Sequence, residues 1–317
     1  MNNRNIKYIF YGFGSAYSLE PLAKYMHSKE YDVLEMNPAS DNFSGYGDLK
    51  EIKNKNTVFL TSFHPLLDTE NLARSGIKNF NCAAPLEIID YIKPIKSIYY
   101  PHDLTPFYSN DEMPWCNLFD LFLLPYKNNL FYRIKSECCN VLEVGWIKNN
   151  KLNKKVDIDN NIIYFPSNIY YGMDESNRIK WFDYIPRTIP IKTGNVSEAK
   201  FNKAVELAKN DGYTFLESSL NIFQLIHNSK LIITNGVSSI VTESAMSGIP
   251  VVTMLDGIET DESYLKQLPK LDWVYPLKLE EVKNFIIKVQ EGKIMLNKGP
   301  NLLKEFDFEK AVEAITE

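Results

Sequence analysis

The sequence has none of the long apolar runs, export signals or basic charge excess that mark several large classes of protein. No stretch approaches the roughly 18 consecutive apolar residues of a membrane-spanning helix. The opening residues, MNNRNIKYIFYGFGS, lack the charged-then-apolar design and the small-residue cleavage site of a secretion signal. The formal net charge is -5, whereas a general nucleic-acid binder is strongly basic. We therefore expect a cytoplasmic protein that binds no nucleic acid.

Cysteine is scarce, and its spacing fits neither a metal site nor a disulfide framework. None belongs to a C-x-x-C pair, and none has a histidine at zinc-ligand spacing. The four cysteines are Cys82, Cys116, Cys138 and Cys139. An Asp-x-Asp spacing occurs at residues 157–159, but in a polar stretch rather than at a strand end. We predict reduced thiols, no metal and no cofactor.

What the sequence does contain is two successive series of short apolar strands that alternate with amphipathic helices. The first series begins with a β-branched and aromatic run at residues 6–11, and the second with a similar run at residues 162–165. A polar segment rich in asparagine and lysine separates them at residues 148–161. Strands that alternate with helices predict parallel sheets that are covered on both faces.

The chain is long enough for two such domains. Its 317 residues exceed the length at which a single hydrophobic core usually stops growing. We predict an α/β fold with a first domain at residues 1–150 and a second domain at residues 158–302. The helix predicted within residues 303–317 is a candidate to pack back on the first domain.

The most informative segment is KLIITNGVSSIVTESAMSGIPVVTMLDG, at residues 230–257. A buried strand leads into a turn that contains Gly236, and Ser238 and Ser239 open a helix. The start of a helix offers backbone N–H groups and the positive end of the helix dipole. A glycine lets the backbone approach a ligand closely, and the serines can cap the helix or donate their hydroxyls. These features predict an anion site that suits a diphosphate.

Two charged residues extend this predicted site. Glu243 lies four residues beyond Ser239, so it is expected on the same side of the helix as the turn, where it can accept both hydroxyls of a ribose. Lys192 follows an earlier strand of the second half and can neutralise phosphate in place of a metal. Ordinary α/β architecture, with Glu243 at the surface and Lys192 solvated, is the alternative interpretation.

The order of these elements resembles the donor-site element of glycosyltransferases of the GT-B type. The resemblance rests on the serine-rich helix start, on Thr-Glu-Ser-Ala at residues 242–245 and on Ser-Gly-Ile-Pro-Val-Val at residues 247–252. Residues 162–167, IIYFPS, are similar to the opening of the second domain in these families. Similar elements occur in the enzyme that adds N-acetylglucosamine to the peptidoglycan lipid precursor. They also occur in non-hydrolysing UDP-N-acetylglucosamine 2-epimerases and in CDP-glycerol glycerophosphotransferases.

The resemblance implies two Rossmann-like domains that face each other across a cleft. It also implies that Gly236, Ser238 and Ser239 hold the phosphate groups of the donor. Glu243 would hold the ribose, with Thr242 in the same donor site. No metal is required in this arrangement.

Departures from the families leave the exact family open. The epimerases normally carry a Glu-Glu pair where this chain has Thr242-Glu243. The CDP-glycerol enzymes usually have Asp-Tyr-Ser-Ser where this chain has NGVSS at residues 235–239. They also carry a histidine-proline motif where this chain has IKTG at residues 191–194.

Transfer to an acceptor hydroxyl needs a base, for which the first half offers candidates. His102 and Asp103 follow a predicted strand, and a histidine beside a carboxylate can have a pKa close to neutrality. His64 follows another strand end. A loop histidine without a chemical role is an equally good interpretation of His102 and a better one of His64. His27 and His227 lie in predicted helices and are expected to be structural.

A glycine turn after the first strand is the candidate for binding the acceptor. Gly12, Gly14 and Ser15 belong to this turn, which resembles the glycine loop of the acceptor domain in GT-B enzymes. The turn lacks the third glycine of a dinucleotide fingerprint, so no NAD site is predicted.

The resemblance leads us to expect a glycosyltransferase of bacterial surface polysaccharide synthesis, such as capsule or lipopolysaccharide. It would move a sugar from a nucleotide-activated donor to a saccharide or lipid-linked acceptor. A lipid-linked acceptor would bring the protein to the inner face of the cell membrane, although no strongly basic amphipathic helix supports such a contact. The alternatives are a polyol-phosphate transferase of the CDP-glycerol type, a nucleotide-sugar epimerase and a non-catalytic nucleotide-sugar-binding protein.

Overall fold

The computed structural model divides the chain into two compact units. The first comprises Met1–Asn150 and Lys304–Glu317, and the second comprises Lys151–Leu303. Among the residues that the structure describes, no helix is both long and apolar enough to cross a membrane. The described residues are 6–12, 19–36, 49–53, 55–63, 84–102, 104, 108–109, 117–126, 132–133, 140–151, 162–166, 180–193, 199–217, 220–235, 238–255 and 271–317.

The first unit contains a sheet of six parallel strands in the order β2-β1-β3-β4-β6-β8. A separate pair of two-residue strands, β5 and β7, lies outside this sheet. The central strands are buried on both faces, which explains their continuous apolar runs. The strands are β1 Lys7–Tyr11, β2 Asp32–Met36, β3 Thr57–Thr61, β4 Lys96–Tyr99, β5 Tyr108–Ser109, β6 Leu121–Leu124, β7 Tyr132–Arg133 and β8 Val141–Glu143.

The second unit contains a sheet of four parallel strands in the order β12-β11-β10-β9. Parallel bridges from Tyr164 to Ile191, and from Ile191 to Phe215, extend the sheet beyond β9. The strands are β9 Ile162–Phe165, β10 Leu231–Asn235, β11 Val251–Leu255 and β12 Val274–Lys278. The two parallel sheets confirm the predicted α/β class.

Helices follow the strands in both units. They are α1 Glu20–Ser28, α2 Pro85–Ile92, α3 Ala199–Asn210, α4 Ile222–Asn228, α5 Ser239–Met246, α6 Leu279–Gln290 and α7 Phe308–Thr316. The last helix belongs to the first unit, where the ring of Phe308 lies 5.0 Å from that of Tyr25 on α1. The ammonium of Lys96 donates to the carbonyl oxygen of Ala314 at 2.6 Å, which ties the end of α7 to the start of β4.

Each sheet has a point at which the chain reverses its direction of progress across the sheet. In the first, β2 lies on one side of β1, and β3 with the later strands lies on the other. In the second, Ile191 and Phe215 extend one side of β9, and the chain then returns to place β10, β11 and β12 on the opposite side. Open parallel sheets bind ligands beyond the carboxyl ends of their strands at such switch points. The two candidate regions are therefore the ends of β1 and β3, and the ends of β9 and β10.

Candidate functional sites at the switch points

In the second unit, α5 begins directly after the end of β10. Ser238 is the N-cap of α5, with an extended backbone at φ -142° and ψ 139°. Its hydroxyl oxygen accepts a hydrogen bond from the backbone N–H of Ile240 at 3.2 Å. Of the two roles predicted for this serine, the structure shows capping. The predicted phosphate residue Gly236 lies outside the described residues.

Glu243 and Thr242 are buried one turn into α5, whereas Ser239 at the helix start is half-buried. Glu243 is only 3% exposed, so the alternative in which it is a surface residue is wrong. Taking a carboxylate out of water costs free energy unless polar or charged groups compensate. Thr242 is fully buried, and its hydroxyl has no hydrogen-bond partner among the residues that the structure describes.

A hydrogen bond between side chains joins β9 to β10 at the switch point. The hydroxyl of Tyr164 donates to Oδ1 of Asn235 at 3.1 Å, and both side chains are buried. Burial raises the pKa of the Tyr164 hydroxyl well above its ordinary value, so this group is a proton donor at neutral pH. Neither residue was among the predicted site residues. The sequence signal was a side chain with a polar group in each of two apolar strands, Tyr164 as the third residue of β9 and Asn235 as the last residue of β10.

Lys192 lies at the same edge of the sheet, on the opposite side of β9. Its backbone N–H donates to the carbonyl oxygen of Tyr164 at 2.8 Å. The residue is only 3% exposed, so the alternative of a solvated lysine is wrong. Burial lowers the pKa of the Lys192 ammonium because the charged form loses hydration. One strand separates Lys192 from Asn235, which places their main chains roughly 10 Å apart.

In the first unit, Gly12 and Ser62 are the first residues beyond two neighbouring strands. Tyr11 pairs with Thr61 in register, and the Thr61 hydroxyl donates to the Tyr11 carbonyl oxygen at 3.1 Å. The backbone N–H of Gly12 donates to the carbonyl oxygen of Met36 at 3.1 Å. Gly12 is therefore held at the end of β1, beside the switch point.

His102 packs against this switch point from the end of the next strand. Its Nδ1 lies 3.0 Å from the carbonyl oxygen of Ser62. A carbonyl oxygen can only accept, so Nδ1 carries the hydrogen and, in the neutral ring, Nε2 carries the lone pair. The preceding Tyr100 is fixed as well, since its hydroxyl donates to the Gly145 carbonyl oxygen and accepts from the Ile147 N–H, both at 3.0 Å. The structure thus brings His102 and Gly12 to one edge of the sheet.

The remaining residues that the sequence singled out divide into two groups. Asp103, His64, Gly14 and Ser15 lie outside the described residues. His27 is exposed on α1, and His227 is half-buried on α4, where burial lowers the pKa of its ring. Within the described part of the chain, no group of three or more histidine, cysteine or acidic residues is placed to hold a metal ion.

Comparison with solved structures finds the same architecture at low sequence identity. The complex of S. aureus MnaA with UDP has a TM-score of 0.58 at 13% identity, over 98% of this chain and 95% of the other. A variant of the wall teichoic acid polymerase TagF has a TM-score of 0.53 at 13% identity, over 99% of this chain and 84% of the other. No family model and no curated protein matches the sequence. The similarity therefore concerns the fold, and the chain has the two-sheet α/β fold of the GT-B type.

Proposed function

We propose that the protein is a glycosyltransferase that moves a sugar from a nucleotide-activated donor to an acceptor hydroxyl in bacterial surface polysaccharide or glycoconjugate synthesis. The observation that carries this proposal is the β9–β10 switch point, where a capped helix start, a buried carboxylate and a buried lysine belong to one sheet edge. These groups suit the diphosphate and the ribose of a nucleotide donor. Residues 241–246 of α5 are all buried, so Glu243 is a carboxylate inside the second unit and not on a solvent-facing helix.

The donor-binding residues have distinct roles in this proposal. Gly236 and the start of α5, with Ser238 and Ser239, hold phosphate through N–H groups and hydroxyls. Lys192 adds a positive charge against the phosphate oxygens without a metal ion. Negative charge develops on this phosphate as the bond to the sugar breaks, so groups fixed in advance stabilise the transition state more than water would.

Glu243 and the neighbouring Thr242 complete the donor site. A carboxylate can accept hydrogen bonds from both ribose hydroxyls, and the buried hydroxyl of Thr242 gains a partner when a ligand binds. Because Thr242 replaces the first glutamate of the epimerase pair, the site has one carboxylate fewer than an epimerase, which favours transfer.

The acceptor is activated by His102. Its Nε2 takes the proton of the acceptor hydroxyl while the acceptor oxygen forms a bond to the anomeric carbon. The bond from that carbon to the phosphate oxygen breaks, and the nucleotide leaves with the electron pair. The hydrogen bond from Nδ1 to Ser62 supports this role because it orients the ring. Asp103 and His64 are further candidates for the base, and Gly12, Gly14 and Ser15 are candidates for acceptor binding.

Polyol-phosphate transfer is the second candidate function. The adjacent serines at residues 238–239 match the Ser-Ser of the Asp-Tyr-Ser-Ser element, although the residues before them differ, and the fold similarity to TagF supports the comparison. It would use the same donor site with a CDP-linked polyol, and the acceptor would attack phosphorus instead of an anomeric carbon. The choice of nucleotide therefore separates the two proposals.

Calorimetric titration with UDP, CDP, CMP, GDP and ADP, with and without EDTA, tests the donor site. We expect one nucleotide to bind selectively and EDTA to have no effect. Glu243→Ala should weaken this binding about tenfold or more, because a charge-assisted contact is lost. Glu206→Ala, which removes an exposed carboxylate from α3 of the same unit, is the matched control. If no nucleotide bound at millimolar concentration, the proposal would fail.

A further inference from the structure

The hydrogen bond between Tyr164 and Asn235 lies at the point where the second sheet is expected to bind its ligand. Tyr164 is on β9 and Asn235 is the last residue of β10, the two strands that flank the switch point. Asn235 directly precedes Gly236 and lies three residues before the N-cap of α5. An interaction here fixes the end of β10 relative to β9. The predicted phosphate turn starts at this end of β10.

Core packing alone does not require this hydroxyl. The Tyr164 ring packs edge-on to Phe182, with their centroids 5.9 Å apart, in a cluster of apolar side chains that a phenylalanine would fill equally well. A second tyrosine of this cluster, Tyr213, donates its hydroxyl to the main-chain carbonyl oxygen of Phe182. The Tyr164 hydroxyl, in contrast, donates to the side chain of Asn235, at the edge where the ligand is expected.

The direction of this hydrogen bond decides which group Asn235 offers at the edge. Because Oδ1 accepts from the Tyr164 hydroxyl, the orientation of the amide is fixed, and the second polar atom of this side chain is the donor Nδ2. Donors suit an anion. An aspartate at this position would be isosteric, but it would place a negative charge beside the phosphate groups. With Lys192 on the far side of β9, the two residues flank the end of that strand with a cation and an amide.

We infer that Asn235 recognises the phosphate groups of the donor and that Tyr164 is its positioning residue. The inference rests on the proposed function, because it assigns new residues to the same donor site. It makes phosphate, rather than base or ribose, the part of the donor that Asn235 binds, with Tyr164 fixing its orientation. It therefore separates phosphate recognition by the pair from ribose recognition by Glu243.

The test compares a nucleotide with its own nucleoside on matched variants. Calorimetry measures the affinity for UDP, or for the tightest nucleotide of the series above, and competition measures the affinity of the corresponding nucleoside and of inorganic pyrophosphate. Tyr164→Phe should weaken nucleotide and pyrophosphate binding about tenfold and leave the nucleoside unchanged. Asn235→Asp should weaken both phosphate ligands at least as much. Tyr213→Phe, which removes a buried hydroxyl from the same cluster, should alter neither.

The outcomes distinguish this inference from the proposed function. Suppose that the wild type binds nucleotide and that Tyr164→Phe changes this affinity by less than about twofold. That result would overturn the inference but not the proposed function. Equal losses for nucleotide and nucleoside would also overturn it, since a merely structural role predicts them. Thermal denaturation identifies any variant that fails to fold, in which case Asn235→Ser replaces Asn235→Asp with the same expectation. A wild type that binds no nucleotide would overturn both.

Discussion

The backbone N–H of Gly299 donates to the carbonyl oxygen of Gly248 at 3.0 Å, at the point where α5 ends. Gly248 has φ +71°, the left-handed conformation that terminates a helix. The contact is close, since a Cβ on Gly248 would lie 2.2 Å from the Gly299 carbonyl oxygen. Trp273 covers the same end, with Nε1 donating to the Ala245 carbonyl oxygen at 2.8 Å. The carboxyl end of α5 is thus fixed in the core, while its amino end faces the candidate donor site.

Gly248→Ala is expected to destabilise the second unit much more than Gly292→Ala. Both glycines have nearly the same φ, +71° and +72°, but a Cβ on Gly292 meets nothing within 4 Å. Gly292→Ala should lower the free energy of unfolding by about 1 kcal/mol, the cost of the left-handed conformation. Gly248→Ala should lower it by about 2–5 kcal/mol, because main-chain atoms must also move. Urea denaturation measures both, and equal losses would contradict the close approach.

His102→Asn separates a catalytic from a structural role of this histidine. The asparagine amide can still donate to the Ser62 carbonyl oxygen in place of Nδ1, but it cannot act as a base at the position of Nε2. We expect the transfer rate to fall about 100-fold or more while nucleotide affinity is unchanged. The measurement is the initial rate of nucleotide release with acceptor present. His27→Asn, at an exposed position on α1, is the control. Full activity of His102→Asn would assign the ring a structural role only.

Lys192 should make nucleotide binding sensitive to alkaline pH. Burial lowers the pKa of its ammonium, so in the free protein it loses its proton at a lower pH than an exposed lysine does. Only the charged form attracts phosphate, so the affinity should fall as the pH rises through this lowered pKa. Calorimetric titrations from neutral to alkaline pH should show this decline in the wild type and not in Lys192→Met. Lys230→Met, at an exposed position just before β10, should retain it. An identical pH dependence in Lys192→Met would exclude the role.

The sequence was sufficient to predict those strands and helices that are marked by a short stretch of neighbouring residues. The strand at β10, the helix that starts at Ser239 and ends before Gly248, and the strand at β11 were all predicted, because a buried parallel strand is a short apolar run and a helix is punctuated by its caps. β12 was missed. It is a half-exposed edge strand interrupted by Pro276, and its alternation is weak.

The contacts that define the candidate sites depend on strand order, which no local pattern contains. Tyr164 and Asn235 are 71 residues apart, and they meet only because β9 and β10 are neighbours in register. His102 and Ser62 are 40 residues apart and meet for the same reason at the ends of β3 and β4. The sequence thus indicated which residues end strands, and the topology determined which of those residues touch.

His227 should make the stability of the protein sensitive to acid. Burial lowers the pKa of its ring in the folded chain, and its Nε2 has no hydrogen-bond partner among the described residues. Between this lowered pKa and the ordinary value of about 6.5 in the unfolded chain, the unfolded state binds more protons. The free energy of unfolding should therefore fall as the pH falls through that window, and it should regain the His227 contribution as the pH rises. Urea denaturation at neutral and mildly acidic pH should show a smaller decline for His227→Gln than for the wild type or for the exposed control His27→Gln. The same decline in all three would show that other groups, such as carboxylates, account for the acid sensitivity.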